Sequence, residues 1–209
     1  MFREEDLETI TRSVKTRMSD KRYRHTLGVE DEASRMGAVY LPEKVSDLRA
    51  AALLHDLAKE LPIEEQVAIC RENADPELAE LEKSPAIAHG HAAAYLIPKR
   101  YPNYALPEII SSIYKHTTGA TEFSTFEKII FLADFIEPNR PFDECIRLRN
   151  AFWDGMPEDP TERLLHLDRT VLSCLRYVET FLTEKGIVPD PTTARAADAL
   201  EKKLRNQSA

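Results

Sequence analysis

Residues 51–61 read AALLHDLAKEL, an Ala/Leu run of helical period that carries an imidazole, His55, and a carboxylate, Asp56, in its middle. A buried carboxylate is costly unless it is paired, hydrogen-bonded or bound to a metal. This segment therefore constrains the fold more than any other. Wherever it packs, Asp56 must reach a wet face or meet a partner brought from elsewhere in the chain. A second run, EKIIFLADFIEP over 127–138, sets the same problem, because Asp134 interrupts the apolar stretch from Ile129 to Ile136. Taken alone, Asp134 fits a core Asp that hydrogen-bonds a neighbouring helix. Taken with Asp56, it fits an inward carboxylate on a helix lining a metal site.

The elements that carry these residues are helical. The chain has only six Gly among 209 residues, and strand alternation is absent. Proline follows a capping residue at Asp75-Pro76, Ser84-Pro85, Asp159-Pro160 and Asp190-Pro191, an arrangement suited to the first turn of a helix. Ser124 and Glu127 form a capping-box pattern ahead of an apolar run. Helices are expected over about 4–17, 20–39, 43–59, 63–73, 76–83, 86–99, 107–116, 125–137, 142–153, 160–185 and 192–205. With short connections and no repeat, the chain reads as a single all-α domain over 1–209. Its core spans about 20–180, and a C-terminal helical extension over about 186–209 is expected to fray at its end.

A hydrophobic content of 43% with 31% charged residues is that of an ordinary globular chain, and the net charge of −8 disfavours a nucleic-acid backbone or an anionic membrane as partner. An anionic substrate would need a local cationic pocket. Cys70, Cys145 and Cys174 form no C-x-x-C pair, which argues against a disulfide framework or a zinc-thiolate site and for a reducing compartment. No apolar run approaches the roughly 18 residues that span a bilayer, and the acidic N-terminus has no signal-peptide core. The expected location is the cytoplasm.

The histidines extend the two Asp anomalies. His25 lies in RYRHTLGV, and His116 lies in YKHTTGA at a helix C-terminus, where an imidazole can simply satisfy terminal carbonyls. His89 and His91 in AHGHAAAY are about 200° apart on a helix, so at most one of them faces a common site. Each of these has an ordinary structural reading. Together, five of six histidines and two aspartates interrupt segments that otherwise read as core helices. Helical bundles commonly build metal sites from facing helices. A mixed imidazole and carboxylate set suits iron, manganese, zinc or nickel.

The order His25, His55-Asp56, Asp134 resembles the H…HD…D signature of the HD-domain phosphohydrolase superfamily. The words RYRHTLGV (22–29), LLHDLAK (53–59), AHG (88–90), HTTG (116–119), EKIIFLADFIEPNR (127–140) and Leu167-Asp168 with Thr170 resemble the YqeK family over about 20–180. Its members split diadenosine tetraphosphate symmetrically into two ADP. The resemblance implies an HD-type helical bundle around a divalent metal, usually iron, present as one or two ions. It implies metal ligation by His25, His55, Asp56 and Asp134. His89 and His116 would complete a second metal position, with Asp56 bridging, or contact phosphate and move protons. Lys59, Arg22 and Arg140 would neutralise the polyphosphate, Thr117 and Thr118 would offer hydroxyls, and Asp168 would line the nucleotide pocket. The expected partner is a dinucleoside polyphosphate, with no nucleic acid and no membrane, and a homodimer is compatible. One departure is His91, where the family usually has Pro after HG; His89 is taken as the inward residue. Other HD activities (a nucleotidase or a guanosine-tetraphosphate hydrolase) and a non-catalytic nucleotide-binding regulator are the alternatives. A cyclic-dinucleotide phosphodiesterase usually carries a Gly-Tyr-Pro motif, which this chain lacks.

Overall fold

The computed structural model describes residues 1–207, and among these there are helices and no strands. Eleven α-helices follow one another: α1 (Glu4–Lys15), α2 (Asp20–Tyr40), α3 (Val45–Leu54), α4 (Ile63–Glu72), α5 (Leu78–Lys83), α6 (Ala88–Arg100), α7 (Pro107–Lys115), α8 (Thr125–Ile136), α9 (Asp143–Asp154), α10 (Pro160–Glu184) and α11 (Pro191–Gln207). The capping chemistry read from the sequence starts several of them. Ser124 and Glu127 close the capping box of α8. Asp159 accepts from the Thr161 and Glu162 amides at the start of α10, and Asp190 accepts from the Thr192 amide at the start of α11. Asp75 accepts from the Glu77 amide, and α5 begins one residue further on, at Leu78. Ser84-Pro85 opens a 3₁₀ turn, Pro85–Ile87, that runs directly into α6.

The centre of the molecule is α3. Every residue from Ala50 to Leu54 is fully buried, and the helix packs against α1, α2, α7 and α8. Its three consecutive alanines let those neighbours approach closely, so whatever follows Leu54 is delivered into the middle of the bundle. The structure corrects one boundary there. The helix expected to run to about residue 59 ends at Leu54, and residues 55–60 continue as tight turns. Their amides bond three residues back rather than four: Leu57 to Leu54 (3.1 Å), Lys59 to Asp56 (3.0 Å) and Leu61 to Ala58 (3.1 Å). In such 3₁₀-type winding, side chains at i and i+3 eclipse, so Asp56 and Lys59 line up by this geometry rather than by α-helical spacing. The apolar period gave no warning, because Leu57 and Ala58 stay buried in either winding.

The C-terminal extension is a docked helix. Along α11, Ala196, Ala197 and Leu200 are buried against α10, and Arg176 of α10 bonds Asp198 (2.6 Å) and Glu201 (2.9 Å). The end of this extension, where fraying is expected, includes residues 208–209, which lie outside the described residues. No helix among the described residues is long and apolar enough to cross a membrane.

Candidate metal centre

Five segments bring their ionisable side chains to one point. His25 comes from the second turn of α2, His55 and Asp56 from the turns after α3, His89 from the first turn of α6, His116 from the C-cap of α7 and Asp134 from the last turn of α8. The Nε2 of His25 lies 3.6 Å from Asp56 Oδ2 and 3.0 Å from Asp134 Oδ1. His55 Nε2 lies 3.3 Å and 3.8 Å from the same two carboxylate atoms. On the other side, His89 Nε2 and His116 Nε2 stand 3.6 Å and 3.9 Å from Asp56 Oδ1 and 3.2 Å from each other. The rings form an edge-on chain, His25–His55–His116–His89, with centroids 5.0–5.5 Å apart.

The opposite ring nitrogens fix which tautomer is present. The Nδ1–H groups of His55, His89 and His116 donate to the carbonyls of Ala52 (2.6 Å), Ala86 (3.1 Å) and Ile113 (2.7 Å). His25 Nδ1 pairs with Glu137 Oε1 at 3.1 Å. A nitrogen bound to a carbonyl must carry the proton, which leaves the lone pair on Nε2. The Nε2 atoms of His89 and His116 therefore present lone pairs toward Asp56, an arrangement that a cation between them would satisfy. His25 Nε2 and His55 Nε2 are buried without any hydrogen-bond partner, although carboxylate oxygens stand close by. Two three-residue sets, His25/His55/Asp134 and His55/Asp56/His116, each hold ligand atoms within 4.8 Å of one another. Nitrogen and oxygen donors in this mixture fit a divalent transition metal.

Electrostatics agree with the geometry. Burial, reinforced for His89 by Lys59 and His116, keeps the His89 imidazole well below its usual range. Burial and the neighbouring His55 bring His116 down to about 4. Both are neutral near pH 7 and free to ligate. For His25, burial opposes the charge, but Asp134 and Glu137 outweigh it and lift the ring to about 9. Burial would raise both carboxyls. His55 and His89 instead hold Asp56, and Arg140 and His25 hold Asp134, well below the normal carboxylate range. Lys59 reaches the face of His89, with Nζ 3.3 Å from Nδ1 and 3.4 Å from Nε2, and burial lowers its pKa.

Two arginines expected at a polyphosphate sit on the two converging acids. Arg22 Nη1 is 2.5 Å from Asp56 Oδ2, and Arg140 Nη2 is 2.6 Å from Asp134 Oδ1. A cleft of about 640 Å³ opens beside them and beside His25, and Lys21 and Arg24 also line it. The acids of this cleft are already engaged: Glu60 by the Ser19 amide (2.7 Å) and hydroxyl (2.5 Å), and Glu137 by His25 and the Asn139 amide (2.6 Å). The cleft thus gathers Lys21, Arg22, Arg24 and Arg140 in one place on an otherwise acidic chain.

Not every expected residue joins this group. Thr117 does, its hydroxyl 3.3 Å from His89 Nε2 and 3.4 Å from His116 Nε2. Thr118 donates instead to the Gly119 carbonyl. It is His89 that turns inward; His91 pairs with Asp75 at 3.0 Å and stacks on Tyr114 with centroids 3.7 Å apart. Asp168 lies elsewhere, buried between Lys128 and Lys203, the latter 2.7 Å away, in a separate groove. Glu137 was missed in the sequence, where an acid before Pro138 reads as an ordinary helix end. Its signal is Gly28: a Cβ there would stand 2.2 Å from Glu137 Oε2. Gly90 serves the other half, since a Cβ would meet the Ile113 carbonyl at 3.0 Å and the His116 ring at 3.1 Å. Its absence lets α6 and α7 close until His89 and His116 touch.

A helical bundle with His…His-Asp…Asp gathered at its centre is the architecture of a metal-dependent hydrolase, and the family model described as HD domain matches residues 22–139. The chain belongs to the HD domain family. Its relatives narrow the class. A Bacillus subtilis protein named symmetrical bis(5'-nucleosyl)-tetraphosphatase is 35% identical over 183 residues, covering 85% of this chain and 89% of its own length. A Halalkalibacterium halodurans protein of the same name is 30% identical over 192 residues, covering 91% and 95%. A Clostridium acetobutylicum crystal structure, described as a predicted HD superfamily hydrolase involved in NAD metabolism, is 31% identical. It superposes with a TM-score of 0.81 over 97% of this chain and 99% of that one.

Proposed function

We propose that this chain hydrolyses dinucleoside tetraphosphates symmetrically, releasing two nucleoside diphosphates. The observation that carries the reading is the convergence of four imidazole Nε2 atoms on Asp56 and Asp134 beside a cleft lined by four cationic side chains. His25, His55, Asp56 and Asp134 would hold a divalent cation, with His89 and His116 offering a second position that Asp56 joins to the first. Iron is the cation we assign, among those that mixed nitrogen and oxygen donors accept. When bound, such an ion acidifies water to a pKa near 7 and polarises a phosphoryl oxygen.

The chain's own residues do the rest. Arg22 and Arg140 present guanidinium forks, whose planar geometry suits phosphate oxygens. Lys59 adds a compact charge over His89. With the first position alone filled, His89 and His116, neutral and turned inward, would take a proton at Nε2 from an attacking water and return one to the leaving diphosphate. The Thr117 hydroxyl, within reach of both rings, orients the group that exchanges that proton.

Product analysis on diadenosine tetraphosphate tests the reaction. Symmetrical cleavage gives ADP alone, whereas AMP with ATP would refute it. Asp56→Ala should abolish metal binding and turnover together; full metal content with normal turnover would refute the ligand assignment.

A further inference from the structure

The cleft contains one aromatic residue that neither charge neutralisation nor metal binding uses. Phe142 lines it with 60% of its surface exposed. It stands at the N-cap of α9 in extended backbone, φ −77° and ψ 134°. Folding gains little from a ring left in water, and the other residues lining this cleft are charged, polar or small, apart from Pro141. No other Phe, Tyr or Trp lines it among the described residues. The placement relative to the charged groups is informative. Arg140 is anchored at the metal centre through Asp134, by its side chain at 2.6 Å and by the Asp134 carbonyl at 2.9 Å. Two residues of chain span at most ~7 Å, so the Phe142 backbone lies within that reach of the Arg140 backbone, and both side chains line the same cleft.

A nucleotide has that layout: anionic phosphates at one end and a flat aromatic base at the other. We infer that Phe142 is the platform on which a nucleobase of the substrate stacks, a specificity-determining residue for the proposed hydrolysis. The inference rests on the reading of the substrate as a nucleoside polyphosphate. Stacking on an aromatic face is tolerant of base identity, so the platform selects nucleotides over inorganic polyphosphates. It favours the larger purines over pyrimidines without reading base edges.

The test compares wild type, Phe142→Ala and Phe142→Trp, all metal-loaded, for binding of ADP and of inorganic pyrophosphate. Because the ring is exposed, none of these changes should unfold the chain. Loss of base stacking by Ala substitution corresponds to roughly 5- to 150-fold in affinity. Phe142→Ala should weaken ADP by about tenfold or more within that range and leave pyrophosphate unchanged. Phe142→Trp should restore ADP binding, with its added indole fluorescence quenched by ADP and not by pyrophosphate. In turnover, Phe142→Ala should raise KM for diadenosine tetraphosphate and spare kcat. ADP affinity unchanged in Phe142→Ala, or an equal loss for ADP and pyrophosphate, overturns the platform. The two readings fail separately. A wild type that binds ADP through Phe142 but does not cleave diadenosine tetraphosphate refutes the reaction and leaves the platform standing.

Discussion

Gly28→Ala separates metal organisation from folding. Gly28 is buried on α2, one turn from His25, and a Cβ there would lie 2.2 Å from Glu137 Oε2 and 2.7 Å from Asn139 Nδ2. The oxygen must withdraw by about 1 Å to reach an ordinary van der Waals distance. It cannot swing away freely. Glu137 is buried, with Oε1 3.1 Å from His25 Nδ1 and Oε2 2.6 Å from the Asn139 amide. The displacement therefore breaks the bond that aims His25. Losing a hydrogen bond to a charged group costs about 1.5–3 kcal/mol, while replacing a helical Gly by Ala returns about 1 kcal/mol. Metal-free stability should thus fall by no more than about 2 kcal/mol. Metal affinity should fall by about 10- to 100-fold, as is usual when the partner of a ligating histidine is lost. Chelator competition measures the loss of metal affinity, and chemical denaturation of metal-free protein measures the loss of stability. Gly37→Ala on the same helix is the control, because its Cβ would meet Leu48 Cδ1 at 2.7 Å, in the core. It should lose stability and keep its metal affinity. Wild-type metal affinity in Gly28→Ala would refute the chain from Gly28 through Glu137 to His25.

Other outcomes follow from the same geometry. Metal-free protein should lose stability as the pH falls from about 6.5 to about 4. His116, at about 4 when folded, and His89, lower than usual, take up protons on unfolding throughout that window. Each contributes at most about 1.4 kcal/mol per pH unit, and His116→Gln should flatten the slope; an unchanged slope would contradict the neutral assignment. Between about 6.5 and 9 the sign reverses, because His25 stays protonated to about 9 in the fold and its contribution is lost as the pH rises. Lys128→Met should destabilise by about 3 kcal/mol in urea titrations, because it removes the buried partner of Asp168. Lys203→Met, half exposed, should cost under about 1 kcal/mol. Neither should alter KM, and a KM change without a stability change would return Asp168 to the nucleotide pocket.

The residues that converge at the candidate metal centre stood out in the sequence because each breaks a local rule. His55, Asp56 and Asp134 interrupt apolar runs that had no local use for a charge, and such conflicts concentrate at functional sites. What stayed hidden obeys local rules. Glu137 before Pro138 looks like any helix terminus, and its partner, His25, is 112 residues away. The end of α3 was invisible because α-helical and 3₁₀-type winding bury Leu57 and Ala58 alike. Asp168 sits near a motif word, yet Lys128 and Lys203 lie 40 and 35 residues from it, and no spacing announces that pairing. Lys203 also explains why the terminal helix, which reads as marginal in isolation, is held in place.

Three of the four imidazoles take their orientation from the carbonyl three residues behind them: His55 from Ala52, His89 from Ala86 and His116 from Ile113. Each carbonyl belongs to the last turn of a helix or to the 3₁₀ turn that precedes one, where backbone acceptors lack their regular intrahelical donor. The tautomer of these three rings is thus set by chain winding, while their charge is set by burial and long-range partners. Each ring's orienting contact lies within its own turn. Neighbouring side chains can drift without disturbing them, whereas inserting one residue into any of these three turns would swap donor for acceptor at the heart of the bundle.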